Sequence, residues 1–146
     1  MKKILSVTVT GCLLAMTIAF TVRAQEPGTA MRASIPFEFT VSGKTLPAGS
    51  YEVRRLGDEP TTMIIRNIEL KRDEAVFTTD PVIENRIPGK SVIVFHRYGD
   101  TTFLSEVVAA GSETARELVP SRAERKLRRE LASNNAEPQT VALALY

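Results

Sequence analysis

The segment from Phe95 to Glu106 carries the side chains whose types and spacing could support catalysis. Nucleophilic catalysis needs a base within hydrogen-bond reach of a hydroxyl and a third group that fixes the histidine tautomer. In a catalytic interpretation, His96 is the general base and Ser105 is the nucleophile. Asp100 or Glu106 would then orient the imidazole, which describes a hydrolase-type site.

The same segment also fits the end of a β-hairpin, and we favour this interpretation. Gly99 would take the turn, Asp100 would bind nearby amides, and His96 would be a partly buried strand residue. The spacing does not impose a triad, because triads are recognised by geometry rather than by composition. We therefore predict no catalytic residue and treat His96, Arg97, Tyr98 and Asp100 as candidate binding residues.

An arginine-rich helix near the C-terminus is the second candidate region. Ser121 and Glu124 fit a capping box, which predicts a helix over about residues 121–133. The predicted buried face is a thin apolar stripe with a four-residue period: Ala123, Leu127 and Leu131. Helices of this type usually cover a sheet with their apolar face.

The opposite face of this helix is basic. Its charged residues are Arg122, Arg125, Lys126, Arg128, Arg129 and Glu130. We select Arg122, Arg125 and Arg129 as candidate binding residues for an anionic envelope surface or for a protein partner. The pattern by itself favours the simpler interpretation, a surface helix whose charges are only solvated.

The aromatic residues of the predicted strands are the third candidate region. They are Phe37, Phe39, Tyr51, Phe77, Phe95 and Phe103. If the strands close into a barrel, these rings could line a cavity for a small apolar ligand. Small barrels are usually filled by side chains, so we favour the interpretation in which the rings form the core.

The N-terminus has the three parts of a secretory signal peptide. A cationic start at Met1–Lys3 precedes an uncharged, largely apolar run from Ile4 to Val22, and Ala24 ends a plausible cleavage site. We predict cleavage after Ala24 and an exported domain, periplasmic or extracellular. Two alternatives stay open: retention of the apolar run as an anchor, and lipidation at Cys12.

Cleavage at this site changes the composition of the chain. Of 146 residues, 122 remain, with 16 basic and 17 acidic side chains. The domain is then nearly neutral, and its charge does not indicate a nucleic-acid partner. Cys12, the only cysteine, is removed, which excludes a disulfide and a thiolate nucleophile. With one histidine and no carboxylates at ligand spacing, we predict no metal, no cofactor and no stable membrane span after cleavage.

Turn signals alternate with β-branched and aromatic runs from residue 34 onwards. This spacing predicts a mainly β domain, a small antiparallel barrel or sandwich of about six to eight strands with one C-terminal helix. We place the domain at 34–135, between a flexible lead-in at 25–33 and a tail at 136–146 that could add a strand. Alternation predicts one half-buried strand from Ser34 to Ser42. Val92 to Phe95 is apolar on both faces, which predicts a central strand or one covered on its second side.

Four short motifs run through the predicted domain: IPFEFTV from Ile35, LPAGSYEV from Leu46, VFHRYGD from Val94 and SRAER from Ser121. Together they resemble the signatures of a family of small, uncharacterised exported bacterial β-proteins. The resemblance covers nearly all of the predicted domain and implies that the hairpin and the helix start belong to one shared design. It implies no activity, catalytic residue or cofactor.

These patterns favour an exported, non-enzymatic binding or envelope-interaction module. A carrier of a small apolar ligand inside a β-barrel is the first alternative, and a hydrolase-type enzyme centred on His96 is the second. An exposed basic patch would favour the module, and a large apolar cavity would favour the carrier. A cleft that joins His96 to a carboxylate and a hydroxyl would favour the enzyme.

Overall fold

A computed structural model describes residues 30–146, and the predicted signal peptide, Cys12 and residues 25–29 lie outside the described residues. The described chain forms ten strands and one helix. They are β1 (Met31–Ile35), β2 (Phe39–Val41), β3 (Lys44–Leu46), β4 (Gly49–Arg55), β5 (Thr62–Asn67), β6 (Arg72–Ile83), β7 (Val92–Tyr98), β8 (Thr101–Val108), β9 (Thr114–Leu118), α1 (Arg122–Ser133) and β10 (Gln139–Ala144). The predicted mainly β class with one C-terminal helix is confirmed. The strand number of six to eight was too low, because the short β2 and β3 and the C-terminal β10 also pair.

The strands form one mostly antiparallel sheet in the order β1-β4-β5-β6-β9-β8-β2-β3, with β7 joined to β8 and β10 joined to β7. The 12-residue β6 pairs with β5 through its first half and with β9 through its second half. It therefore carries the ladder from one layer of a sandwich to the other. The ladder does not close. Arg32 and Tyr146 nevertheless exchange two backbone hydrogen bonds of 3.0 Å, which tie β1 to the C-terminal residue.

A single hydrophobic core lies between the two layers. The ring of Phe39 contacts Tyr51 and Phe95 edge-to-face, with centroid distances of 5.2 and 5.4 Å. The buried Tyr51 hydroxyl donates to the carbonyl oxygen of Pro47 at 2.8 Å, so its polar atom is satisfied. The core is therefore held by aromatic contacts that draw on both layers.

The predicted single strand from Ser34 to Ser42 is wrong, because the chain forms β1 and then β2 there. Pro36 has no backbone N–H to donate to a ladder, and β1 ends immediately before it. The chain then crosses between the layers, since β1 pairs with β4 while β2 pairs with β3 and β8. The regular structure also begins at Met31, inside the predicted flexible lead-in, because β4 provides a partner for that segment.

The C-terminal tail adds a strand to the sheet, as the sequence suggested. Backbone pairing joins β10 to β7 along its full length, from Gln139 to Ala144. Since β8 occupies the other edge of β7, the predicted central position of Val92 to Phe95 is confirmed. Leu145 follows β10 and inserts into the core, where 6% of its surface stays exposed.

Candidate functional site

Strands β7 and β8 present a second surface on the side away from the core. Side chains alternate along β7, so Phe95 faces the core while His96 and Tyr98 face outwards. The ring of Tyr98 packs edge-to-face on Phe103 of β8, with a centroid distance of 5.8 Å. Helix α1 contacts β7 and covers part of this surface.

A hydroxyl, the imidazole and a carboxylate follow one another across this covered surface. Ser105 Oγ lies 3.5 Å from His96 Nε2, and His96 Nδ1 lies 4.0 Å from Glu124 Oε1. Ser105 sits at a β-bulge in β8, where the register shifts relative to β7. The structure therefore joins His96 to the predicted hydroxyl, but the carboxylate belongs to α1.

The carboxylates named from the sequence do not orient His96. Asp100 is exposed in the β7–β8 turn, where Gly99 takes the predicted turn position with φ 60°. Glu106 pairs across the ladder with Glu117 of β9 rather than with His96. Sequence reasoning missed Glu124 because it assigned that residue to helix capping. Its contact with β7 depends on how α1 docks, and no local pattern reports that.

The electrostatics of this surface follow mainly from burial. Burial lowers the pKa of His96, with Glu117 opposing and Arg128 reinforcing the change, so the neutral imidazole is favoured. Burial raises the pKa of Glu124, while a backbone hydrogen bond from Ser121 and the charge of Arg128 oppose that rise. The gap between His96 and Glu124 exceeds hydrogen-bond length. Ser105 is only 7% exposed, so a substrate has little access to its hydroxyl. The arrangement therefore fits attachment of α1 to β7 better than catalysis.

Helix α1 begins as the sequence predicts but packs differently. Ser121 is the N-cap, and its Oγ accepts a hydrogen bond from the Glu124 backbone N–H at 3.1 Å, which confirms the capping box. Glu124 is, however, the only buried residue of the helix. The predicted apolar stripe is wrong in part, because Ala123 is exposed and Leu127 and Leu131 are only half-buried. The helix thus packs on the sheet through the buried side chain of Glu124 and the half-buried side chains of Leu127 and Leu131.

The outer face of α1 is a basic patch. This face exposes Arg122, Arg125, Lys126 and Arg129. Arg128 is also exposed but lies one turn after the buried Glu124, at the edge nearest His96. We call these five side chains the basic patch. Within the described residues, no carboxylate lies within 4.0 Å of the Arg122, Arg125 or Arg129 guanidinium. Lys126 lies 3.7 Å from Glu130, an exposed i,i+4 pair. The predicted arginines therefore share one solvated face with most of their charge unneutralised.

The charge of the domain is unevenly distributed. The helix carries five basic and two acidic side chains, whereas the rest of residues 25–146 carries eleven basic and fifteen acidic ones. A nearly neutral domain thus has one positive element on an otherwise acidic body. Such an asymmetry orients a protein in an external field even when the net charge is small.

The hairpin residues selected from the sequence do not form one site. Arg97 lies on the other side of β7 from His96, with its guanidinium carbon 5.2 Å from the centroid of the Phe37 ring. Its Nε also donates to Thr102 Oγ1 at 3.2 Å, so this side chain is already engaged. Only His96 and Tyr98 share a face, and α1 covers part of that face.

The six aromatic residues lie on two sides of the sheet. Phe39, Tyr51, Phe77 and Phe95 are buried in the core, and Phe37 packs against it. Phe103 is buried beside Tyr98 on the surface that faces α1. The rings are therefore not arranged around one shared cavity.

Residues 30–146 contain no group of three or more His, Cys, Asp and Glu side chains placed to hold a metal ion. In the same part of the chain, no helix has the length and apolar character needed to cross a bilayer. Comparisons of the chain with protein-family models, with curated proteins and with solved structures find no match. Function must therefore be inferred from the chemistry of the surfaces themselves.

Proposed function

We propose that this protein is an exported, non-enzymatic module that binds an anionic surface of the cell envelope through the basic patch on α1. One observation carries the proposal: α1 buries a single glutamate and leaves five basic side chains in solvent. A helix that serves mainly to cover a core buries an apolar face. Because α1 contributes little to the core, we assign the binding function to its exposed basic face.

The chemistry of the patch suits phosphate groups. Arginine presents a planar fork of donors that matches a phosphate, and four of the five basic side chains are arginines. Each basic side chain close to an anionic membrane contributes about 1 kcal/mol at physiological salt. The helix contains no aromatic residue, so binding should be electrostatic and reversible, without insertion.

The patch fits a lipid surface better than an acidic protein. Protein interfaces usually contain a desolvated aromatic or aliphatic anchor, and no side chain of the patch supplies one. The acidic remainder of the domain would be repelled by an anionic membrane while α1 is attracted. The protein would therefore settle with α1 against the surface and its acidic body away from it.

Vesicle co-sedimentation of the protein as secreted tests this proposal. We expect binding to vesicles of phosphatidylglycerol and phosphatidylcholine, and none to phosphatidylcholine alone. The binding should decline as salt shortens the screening length from about 10 Å at 0.1 M to about 3 Å at 1 M. Binding that is equal on both vesicles, or that ignores salt, contradicts the electrostatic mechanism.

A pair of variants with equal charge change locates the surface. The helix variant combines Arg122→Gln, Arg125→Gln and Arg129→Gln, and the control combines Lys71→Gln, Arg86→Gln and Lys90→Gln at exposed positions elsewhere. We expect the helix variant to lose binding about tenfold or more and the control to lose little. Equal losses would show that the overall charge of the protein, and not the position of the arginines on α1, determines vesicle binding. If no vesicle is bound at all, the proposal fails and an acidic protein becomes the class to test.

A hydrolase is the second candidate, favoured by the line from Ser105 through His96 to Glu124. The test is hydrolysis of p-nitrophenyl acetate by the wild type and by Ser105→Ala and His96→Ala. A loss of activity in both variants, with unchanged thermal midpoints, would support it. Activity that is absent in the wild type, or that survives in Ser105→Ala, would eliminate this nucleophile.

A further inference from the structure

A cavity of about 340 Å³ opens between the two layers of the sandwich. Its floor is formed by Met31 of β1, Met63 of β5 and Val107 of β8, all of which belong to the hydrophobic core. Its volume falls at the lower end of the range of small-molecule sites, roughly 300–1,000 Å³. The cavity shares no lining residue with the basic patch, so it is a separate feature.

Two arginines, Arg55 and Arg116, line this cavity. Each lies on the side of its strand that also carries core residues. On β4, Tyr51 and Val53 are buried in the core, and Arg55 follows in the same alternation. On β9, Arg116 lies two residues before the buried Leu118, on the same side of the strand. Since side chains two apart share a face, both guanidiniums lie on the inner side of their strands.

Within residues 30–146, neither guanidinium has a carboxylate partner. The ion pairs formed among residues 30–146 include neither Arg55 nor Arg116. Arg55 is exposed and Arg116 is half-buried, so solvent rather than a carboxylate screens the two charges. The two layers thus bring together an apolar floor and two positive charges without supplying the matching negative charge.

We infer that this cavity binds a small amphipathic anion, a monocarboxylate with an unbranched alkyl tail. The tail would lie against the two methionines and Val107, and methionine adapts well to irregular apolar ligands. The carboxylate would lie between Arg55 and Arg116, which can each offer paired donors. A cavity of about 340 Å³ takes a single medium-length chain and excludes a two-tailed lipid.

Calorimetric titration with decanoate tests this inference on the wild-type protein. Decanol keeps the tail but lacks the charge, and acetate keeps the charge but lacks the tail. We expect decanoate to bind, with decanol and acetate each weaker by about tenfold or more. If decanoate does not bind, or if acetate binds equally well, the inference is wrong.

The double variant Arg55→Gln with Arg116→Gln should weaken decanoate about tenfold and leave decanol unchanged. The matched control, Arg86→Gln with Lys90→Gln at exposed positions outside both the cavity and the basic patch, should leave decanoate binding unchanged. An independent readout avoids dependence on variant stability: decanoate should shift the methyl NMR signals of Met31 and Met63. Binding that leaves both methyl signals in place overturns the assignment of this cavity. Vesicle binding tests the basic patch and decanoate binding tests the cavity, so either proposal can be refuted without the other.

Discussion

Replacement of Glu106 by glutamine should stabilise the protein above pH 6. Glu106 of β8 lies directly opposite Glu117 of β9 in the antiparallel ladder. Burial, together with repulsion from Glu84 and then Glu117, raises the pKa of Glu106 from 4.5 to about 6. Like charges directly opposite one another destabilise a strand pair. Ionisation of Glu106 therefore destabilises the folded protein relative to the unfolded chain.

Glu106 makes the protein less stable as the pH rises, whereas a salt-bridged carboxylate makes a protein more stable as the pH rises. Well below pH 4.5, Glu106 is protonated in both the folded and the unfolded state, so it does not affect stability. Between pH 4.5 and about 6 the unfolded state releases its proton first, so stability falls as the pH rises. Above about pH 6 the whole cost is present.

The magnitude follows from the two pKa values. The difference between about 6 and 4.5 corresponds to about 2 kcal/mol. Glu106 is only half-buried, and solvent screening should reduce this figure to about 1 kcal/mol. Glu106→Gln removes the charge and keeps the size, so it should recover about that amount.

Urea denaturation measures this directly at two pH values. At about pH 7.5 we expect Glu106→Gln to raise the free energy of unfolding by about 1 kcal/mol, and at about pH 4 we expect no difference. Glu137→Gln, at an exposed position, is the control and should change neither value by more than about 0.5 kcal/mol. A variant that is less stable at pH 7.5, or that gains equally at both pH values, would refute the reasoning.

Three further substitutions test the helix cap and the packing, with Tyr146→Ala as the control for the third. Ser121→Ala removes the N-cap hydroxyl of α1 and should cost about 1 kcal/mol in urea denaturation; no loss would mean that the cap is unimportant. Tyr51→Phe keeps the buried ring but leaves the Pro47 carbonyl without its donor, and should lower thermal stability by about 1 kcal/mol. Leu145→Ala should cost about 2–4 kcal/mol by calorimetry although it is next to last in the chain. Tyr146→Ala, whose side chain is 75% exposed, should be close to neutral, and equal effects at the two positions would contradict this account.

Local features of this fold were predictable from the sequence because their causes act over a few residues. The capping box placed the start of α1, since one hydroxyl and one backbone N–H three residues apart decide it. The alternation of apolar residues identified buried strand positions such as Ile35 and Phe39. Gly99 marked the β7–β8 turn, because a positive φ is easily adopted only without a Cβ.

The same patterns failed where a distant element decides the outcome. Alternation from Ser34 to Ser42 reads as one strand, and only the available partners show that the chain changes layers at Pro36. The helix period pointed to Ala123 as a buried residue, whereas the docking of α1 on β7 buries Glu124 instead. Periodicity reports which residues share a face, but the neighbour of that face depends on the whole topology.

By itself, the sequence determined a mainly β domain, the helix boundaries, the basic face of α1 and a few core positions such as Ile35, Phe39, Tyr51 and Val53. Only the tertiary structure places the His96 imidazole beside the Glu124 carboxylate, and places Arg55 and Arg116 in the lining of one cavity. The second arrangement depends on β6, whose first half pairs with β5 and whose second half pairs with β9, so that it joins the layer of Arg55 to the layer of Arg116. Strand register across such distances is set by the total burial of many side chains, so no local pattern contains it.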